Sequence, residues 1–143
     1  MRFLLDSNVI SELRSVQRCA PEVRAWEQKT PLASCWISVV TLLEIRRGID
    51  QIEPKDPRFG KLLGQWLEGR VKPAFEGRTL AVTAAVAERA GKIAAGRTRG
   101  LADCLIAATA LEHHLILATR NVADFEDLEE LKVVNPWNGP QAG

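Results

Sequence analysis

The stretch Arg2-Phe3-Leu4-Leu5-Asp6-Ser7-Asn8 predicts a short buried strand that runs directly into a helix. Large apolar residues form the strand, and the Asp-Ser-Asn cluster supplies the side chains that helix N-caps prefer. In open parallel sheets, ligands bind outside the carboxyl ends of the strands. Asp6 is therefore a candidate metal ligand, and its alternative role is that of an ordinary helix cap.

Further strand signals occur at residues 33–37, 115–118 and 132–134, and helical patterns fill the gaps between them. This alternation predicts βαβ crossovers, so the expected fold class is α/β, with a mostly parallel central sheet flanked by helices. Residues 115–118 are a continuous apolar run, which is typical of a strand covered on both faces. We therefore expect this strand to be central.

Three helical segments carry clear signals. Asp56-Pro57 predicts a helix start, because it combines an N-cap with proline at the first helical position, and residues 59–67 then follow the spacing of an amphipathic helix. Residues 83–99 predict an alanine-rich helix that the next glycine closes. Residues 101–111 predict an almost wholly apolar helix, in which the charge of Asp103 requires an explanation.

At 143 residues and 46% hydrophobic content, the chain fits one globular domain. We expect a single domain over residues 1–137 and a flexible tail over residues 138–143. The formal net charge of +1 combines 19 basic with 18 acidic side chains, so total charge gives no argument for nucleic-acid binding. Any such surface must come from local segregation of the charges.

The sequence also indicates a compartment. Asp6 comes too early for a secretory signal peptide, and no apolar run approaches the roughly 20 residues that span a bilayer. The cysteines, Cys19, Cys35 and Cys104, are odd in number and lack metal-site spacing, which is typical of reduced thiols. We therefore expect a cytoplasmic protein without a membrane partner.

Glu44 is the second candidate acid, and it has two interpretations. Thr41-x-x-Glu44 matches the capping box, in which the glutamate side chain returns to the backbone of the cap residue. Ser38 is an alternative N-cap for the same helix, and it would leave Glu44 in the second turn, free to point at the strand ends. The sequence leaves both interpretations open.

Asp103 and Asp124 complete a set of four acids. Asp103 lies in the first helical turn, where the helix dipole stabilises a negative charge by roughly 0.3–1 kcal/mol, and its apolar neighbours predict partial burial. Its partner is either a cation or Arg99. Asp124 follows the predicted central strand, where an ordinary turn aspartate is the alternative. Thr119 and Asn121 favour a functional role, since a hydroxyl and an amide can hold water, phosphate or a carboxylate.

Together the four acids indicate a metal site. Clustered carboxylates repel one another, which raises their pKa values and lowers stability unless a counter-charge is bound. Carboxylates without histidine or cysteine partners favour hard cations such as Mg²⁺ or Mn²⁺. Such a cation can lower the pKa of a bound water and orient a phosphodiester. The sequence therefore predicts a divalent-cation site.

Four segments carry the candidate residues: LDSNVISE at 5–12, SVVTLLEIRRG at 38–48, LADCLIAA at 101–108 and LATRNVADF at 117–125. In content, order and approximate spacing they resemble the motifs of the PIN-domain ribonucleases, in particular the VapC-type toxins of bacterial toxin–antitoxin pairs. The resemblance covers nearly the whole chain. It implies a PIN-like three-layer sandwich.

The resemblance also implies a mechanism and partners. The acidic metal-binding and catalytic site would be formed by Asp6, Glu44, Asp103 and Asp124, with support from Asn8, Thr119 and Asn121. The activity implied is Mg²⁺- or Mn²⁺-dependent endonucleolytic cleavage of RNA, so the protein would be a hydrolase acting on phosphodiester bonds. The family further implies a homodimer and inhibition by an antitoxin whose basic side chain enters the acidic pocket.

Basic side chains near these motifs are candidates for RNA binding, because a phosphate backbone needs cations beside an acidic pocket. The motif segments are flanked by Arg46, Arg47, Arg97, Arg99 and Arg120. The alternative is that Arg97 and Arg99 favour the carbonyl end of their helix and that the other three are solvated.

Two other functions remain open. The opening Asp6-Ser7-Asn8 is similar to the Asp-x-Asp motif of haloacid dehalogenase-type phosphotransferases and phosphatases, in which Asp6 would be the nucleophile. That chemistry requires a second aspartate where Asn8 stands and a suitably placed lysine, and neither is evident. Alternatively, the chain is a non-catalytic acidic binding module that receives a basic peptide. Metal-dependent turnover distinguishes a nuclease from such a module.

Overall fold

The computed structural model describes residues 1–140. Its centre is a five-stranded sheet of order β3-β2-β1-β4-β5, in which every neighbouring pair is parallel. The strands are β1 (Phe3–Leu5), β2 (Cys35–Ser38), β3 (Thr79–Leu80), β4 (Ile116–Ala118) and β5 (Val133–Val134). The predicted α/β class with a parallel sheet is confirmed.

Helices connect the strands. In chain order they are α1 (Ser7–Leu13), α2 (Pro21–Gln28), α3 (Val39–Ile52), α4 (Pro57–Trp66), α5 (Lys72–Ala74), α6 (Ala84–Gly96) and α7 (Leu101–Glu112). A π-helical segment, Leu67–Val71, joins α4 to α5. Short 3-10 turns cover Leu32–Ser34, Val122–Phe125 and Pro136–Asn138.

The sheet is covered by helices on both faces. Phe3 and Leu5 pack with side chains of α1 to α4 in one hydrophobic core, whereas Leu4 packs with side chains of α6 and α7 in the other. Successive side chains of a strand point to opposite faces, so this short strand contributes to both layers. The predicted three-layer sandwich is confirmed.

The middle of the sheet is β1 rather than the strand expected there. Phe3 pairs with Cys35 of β2 on one side and with Ile116 of β4 on the other. As predicted, β4 is an interior strand, lying between β1 and β5. The sequence patterns gave no sign of β3, because two residues at the sheet edge are too few to form a recognisable alternation.

The start of α3 resolves the two interpretations of its cap. Ser38 accepts a hydrogen bond from the Val40 amide at 3.0 Å and is the N-cap, so Thr41 is not the cap and the capping-box interpretation is wrong. Glu44 therefore lies in the second turn of α3. The predicted start of α4 is confirmed, since Asp56 accepts a hydrogen bond from the Phe59 amide at 3.1 Å.

The predicted boundary between α6 and α7 is wrong. Helix α6 ends at Gly96, and Arg97 has extended backbone angles, with φ −158° and ψ 143°. Gly100 is the N-cap of α7 instead of the residue that closes the preceding helix. A four-residue linker, 97–100, therefore separates the two helices, and it carries two of the candidate arginines.

No helix within residues 1–140 is both long and apolar enough to cross a membrane. Of the predicted tail, residues 141–143 lie outside the described part of the chain. Asn138 ends the last 3-10 turn, and Gly139 follows with φ 78°, a backbone angle in the left-handed region that glycine favours.

The first residues of α3 give a test of this packing. The Thr41 hydroxyl is fully buried and has no hydrogen-bond partner among residues 1–140. A buried hydroxyl without a partner is unfavourable, so Thr41→Val should raise the free energy of unfolding by about 1 kcal/mol. Ser38→Ala removes a cap and should lower it by about 1 kcal/mol. Urea unfolding of both variants checks the opposite signs, and a destabilised Thr41→Val would contradict this account.

Candidate metal centre

The carboxyl ends of β1 and β4 bring Asp6 and Thr119 together. Leu5 pairs with Ala118, and the Asp6 amide donates a hydrogen bond to the Ala118 carbonyl at 3.0 Å. The Thr119 hydroxyl then donates to Asp6 Oδ2 at 2.8 Å. Asp6 is 5% exposed and Thr119 is fully buried. The ends of β1 and β4 are thus joined through both backbone and side chains.

Asp6 also caps α1, because its Oδ1 accepts a hydrogen bond from the Ser7 amide at 2.8 Å. The two roles that the sequence left as alternatives are therefore compatible. A carboxylate has about four lone-pair directions. After these two hydrogen bonds, Asp6 retains lone pairs that could bind a cation.

Thr119 is the centre of a small hydrogen-bond network. Its Oγ1 accepts a hydrogen bond from Asn8 Nδ2 at 3.3 Å and another from the backbone N–H of Asn121 at 3.1 Å. Asn8 Oδ1 in turn accepts from the Arg120 amide at 3.3 Å. The network fixes the segment after β4 against the first turn of α1, and it includes all three residues that were expected to support the site.

Glu44 and Asp103 face the same cavity as Asp6. The Ser7 hydroxyl donates to Glu44 Oε1 at 3.2 Å, which links α1 to α3. Asp103 reaches the cavity from the first turn of α7. The cavity has a volume of about 440 Å³, and its polar wall is formed by Asp6, Ser7, Asn8, Ser11, Arg14, Glu44, Asp103 and Asn121. Arg14, which is half-buried, is the basic residue of this wall.

Asp124 lies at the edge of this group. It belongs to the 3-10 turn Val122–Phe125 and does not line the cavity. Its charge is nevertheless close enough to raise the pKa values of both Asp6 and Asp103. The structure therefore brings three of the predicted acids to one cavity and sets the fourth beside it.

The pKa values of Asp6, Glu44 and Asp103 are all raised, and burial, which disfavours the charged form, is the largest cause in each. For Asp6, hydrogen bonds from Thr119 and Ser7 oppose the rise in pKa. For Glu44 and Asp103, the second cause is the negative charge of Asp6. The ionised carboxylates therefore destabilise one another.

The donor set suits a hard divalent cation. Within residues 1–140, every ion pair involves acids other than these four. In that part of the chain no group of three or more His, Cys, Asp or Glu side chains is arranged closely enough to hold a metal ion. The carboxylates are nevertheless near enough to raise one another's pKa values. Carboxylate oxygens are the ligands that Mg²⁺ and Mn²⁺ prefer, and a bound cation would relieve the repulsion.

Two of the candidate RNA-binding arginines lie in the linker before α7 and are held by a carboxylate. Arg97 pairs with Asp127 at 3.0 Å on the surface. The side chain of Arg99 is only 3% exposed, and it donates to the Asp127 carboxylate and to the Asp124 carbonyl. A buried guanidinium cannot follow an RNA backbone, so Arg99 does not belong to an exposed rim. It makes no ion pair with Asp103 either.

The other three candidate arginines differ in their surroundings. Arg46 pairs with Glu68 at 3.2 Å, on the surface between α3 and the π-helical segment. Arg47 is exposed and close enough to Glu44 to lower its pKa. Arg120 is exposed beside the Thr119 network, with its guanidinium 5.1 Å from the centre of a Trp137 ring. Of the five candidate arginines, Arg47 and Arg120 therefore combine an exposed position with no ion pair among residues 1–140.

Ser7 and the apolar half of the cavity have no clear signal in the sequence. Ser7 belongs to a capping cluster there, and nothing local indicates that its hydroxyl reaches α3. The apolar wall is formed by side chains of α3 and α4, namely Ile45, Ile49, Ile52, Phe59, Leu63 and Trp66. Residues 59–67 have a clear amphipathic pattern, but such a pattern does not distinguish a core face from the wall of a groove.

Comparison with known proteins gives a consistent result. The family model described as PIN domain matches residues 3–131. The chain is 33% identical to VapC ribonuclease Y4jK of Sinorhizobium fredii, over 94% of this chain and 96% of that protein. It is 34% identical to Toxin FitB of Neisseria gonorrhoeae, over 94% and 98%. The structure of FitAB bound to an IR36 DNA fragment contains a similar chain, with a TM-score of 0.84, 31% identity and 99% coverage of each chain.

The raised pKa values predict how stability depends on pH. In EDTA, the stability contributed by Asp6, Glu44 and Asp103 is complete below about pH 4, the ordinary range for these groups in an unfolded chain, and is lost as pH rises through their raised values. At neutral pH, Asp103→Asn should therefore be more stable than the parent. Thermal melts between pH 4 and pH 8 measure the difference.

Asp50→Asn is the matched control, because Asp50 is an exposed acid of α3 that makes only a 3.7 Å surface pair with Arg46. Such a pair contributes about 0–1 kcal/mol. Asp50→Asn should show no gain in stability as pH rises. A loss of stability in Asp103→Asn at neutral pH would identify Asp103 as a structural residue.

Proposed function

The chain belongs to the PIN-domain family, and on that premise we propose that it is a divalent-metal-dependent endoribonuclease, the toxin of a toxin–antitoxin pair. The observation that carries the proposal is the convergence of Asp6, Glu44 and Asp103 on one cavity at the carboxyl ends of the strands. These carboxylates share no ion pair with a basic side chain in residues 1–140, and they belong to segments that resemble the family's motifs.

The proposed cation ligands are Asp6, Glu44 and Asp103, with Asp124 contributing from the edge of the cavity. A bound Mg²⁺ or Mn²⁺ would supply positive charge to stabilise the transition state and would favour ionisation of water. Asp6 is held in place by the Ser7 amide and the Thr119 hydroxyl. Glu44 is oriented by the Ser7 hydroxyl, and its carboxylate is the proposed acceptor of a proton from the attacking water.

RNA is the proposed substrate, and its phosphates need cations beside an acidic cavity. Arg47 and Arg120 fit this requirement, since both are exposed and both adjoin residues of the acidic group. Arg120 also lies against Trp137, an arrangement that presents a planar cation and an aromatic ring together. An RNA substrate makes the cytoplasm the proposed place of action.

The proposed inhibitor is an antitoxin segment that lies along the apolar wall of the same cavity. Ile49, Phe59 and Trp66 form part of that wall, and the acids lie at its polar end. An apolar segment that carries one Arg or Lys matches both halves of the cavity. Its basic side chain would occupy the position of the cation and so block catalysis.

The proposed assembly is a homodimer. Val39 and Leu43 lie one turn apart on α3, and Leu101 opens α7; all three are exposed apolar side chains. Exposed apolar side chains grouped on neighbouring elements are typical of protein interfaces.

The phosphotransferase that the sequence left open is disfavoured. Asn8 stands where that chemistry requires a second aspartate, and its side chain holds the segment after β4.

Substitution of two acids tests the nuclease. Asp6→Asn and Asp103→Asn should each reduce Mg²⁺- or Mn²⁺-dependent cleavage of RNA by about 100-fold or more, because each removes a ligand charge at nearly constant volume. Asparagine remains a good N-cap, so the first variant keeps the start of α1. Cleavage of a structured RNA, with and without EDTA, gives the rates.

Asp50→Asn should cut RNA at the parent rate, since Asp50 lies on the exposed face of α3. If both acid variants cut RNA as fast as the parent, the carboxylates are helix caps and not catalytic groups. A parent protein that binds a basic peptide but never turns over RNA would support the binding module instead.

The apolar wall gives a separate test of the antitoxin site. Trp66→Ala should weaken antitoxin binding by about tenfold or more, as expected for a tryptophan at the centre of an interface, while RNA cleavage changes little. Leu62→Ala is the control, because Leu62 is an exposed residue of the same helix that does not line the cavity. Calorimetric titration with the antitoxin provides the affinities. Equal losses in the two variants would exclude this wall as the binding surface.

A further inference from the structure

Arg99 is an unusual residue of this fold because a full guanidinium is buried outside the core. Its side chain is 3% exposed, and its Nε has no hydrogen-bond partner among residues 1–140. A buried charge is costly unless it is paired and hydrogen bonded. In the sequence Arg99 is one of two arginines in the linker 97–100, and nothing there marks it for burial, so its burial requires a physical explanation.

Its hydrogen bonds give that explanation. Arg99 Nη1 donates to the backbone carbonyl of Asp124 at 2.7 Å, and Nη2 donates to the carboxylate of Asp127. Both acceptors belong to the segment that follows β4. Arg99 itself precedes Gly100, the N-cap of α7, and Asp103 lies in the first turn of that helix. One side chain therefore ties the segment that carries Asp124 to the helix that carries Asp103.

We propose that Arg99 is a positioning residue that holds the Val122–Phe125 turn, and with it Asp124, beside Asp103 at the edge of the acidic cavity. The role assigned to Asp124 rests on the proposed function. The charge of Arg99 is divided between a carbonyl and an outlying carboxylate, so it fixes the turn without pairing with a candidate metal ligand. Asp127 is the counter-charge that keeps the guanidinium in this position.

Arg97 provides a matched comparison within the same linker. It donates to the other oxygen of the Asp127 carboxylate at 3.0 Å, but it is on the surface and makes no hydrogen bond or ion pair with Asp124. Removal of Arg97 therefore removes a cation and an ion pair with Asp127 but leaves the bond to the Asp124 carbonyl. The charge of Arg99 also lowers the pKa of Asp103, an effect not found for Arg97. Faster amide exchange after β4 that is specific to Arg99→Met, relative to Arg97→Met, therefore reports on the hold over the turn.

Hydrogen–deuterium exchange measures the hold directly. In the metal-free full-length protein, Arg99→Met should increase the exchange rate of amides in residues 121–128 by about tenfold, with a smaller change elsewhere. Arg97→Met should leave that segment at the parent rate. Arg99→Lys keeps the charge but cannot reach both acceptors with two directed donors, so it should restore only part of the protection.

Metal binding supplies the second readout. Thermal melts in increasing Mn²⁺ should show that Arg99→Met needs about 10–100-fold more Mn²⁺ than the parent for half of the stabilisation, the range typical of residues that orient metal ligands. Arg97→Met should respond as the parent does. Asp127→Asn keeps Arg99 and removes the charge of its carboxylate partner, so it tests the same hold without deleting the arginine. It should raise both the amide exchange rate of residues 121–128 and the Mn²⁺ concentration needed for half of the stabilisation.

The outcomes separate this inference from the proposed function. Equal exchange and equal Mn²⁺ response in Arg99→Met and Arg97→Met overturn it, and so does a loss of protection spread evenly over the molecule, which identifies Arg99 as a general packing residue. If Arg99→Met does not fold, unchanged exchange in Asp127→Asn overturns the proposal. A parent protein that cuts no RNA contradicts the nuclease, while the exchange experiment still decides the role of Arg99.

Discussion

A carboxylate buried at the end of the middle strand is the constraint on which this structure depends. An ionised Asp6 is tolerated at 5% exposure only because its oxygens accept hydrogen bonds from the first amide of α1 and from Thr119. The first donor requires a helix to start directly after β1. The second requires β4 to lie beside β1 in parallel register. The topology and the chemistry of the site thus have the same origin.

Local signals predicted the parts of the molecule that local physics controls. The strand–helix alternation predicted the layered α/β class, and Asp56-Pro57 predicted the start of α4, where Asp56 is the N-cap. Other features depended on partners distant in sequence. Ser38 and Thr41 both have the chemistry of a cap, and the end of β2 decides in favour of Ser38. The hydroxyl of Ser7 reaches a glutamate 37 residues away, and no pattern within α1 indicates that contact.

The arginines illustrate the same limit and a conflict between folding and function. In the sequence they are equivalent basic residues near acidic motifs. In the fold, the Arg99 side chain is buried and hydrogen bonded to the segment after β4. Arg46 is paired on the surface, and Arg47 remains exposed near Glu44. Charge alone does not determine a role, because burial decides whether a cation is structural or available to a ligand. Arg47 and Arg99 partly oppose the raised pKa values of Glu44 and Asp103, but neither arginine forms an ion pair with these acids, so their mutual repulsion remains.

The pairing of β1 with β4 also has a consequence for synthesis of the protein. Thr119 and Asp6 are 113 residues apart. At a ribosomal rate of about 5–20 residues per second, roughly 6–23 seconds separate the appearance of the two partners. During this interval Asp6 has been synthesised, but its second hydrogen-bond donor, Thr119, and the neighbouring strand β4 have not. A chain that terminates before β4 has no assembled acidic cavity, so the site can form only after Thr119 has been translated.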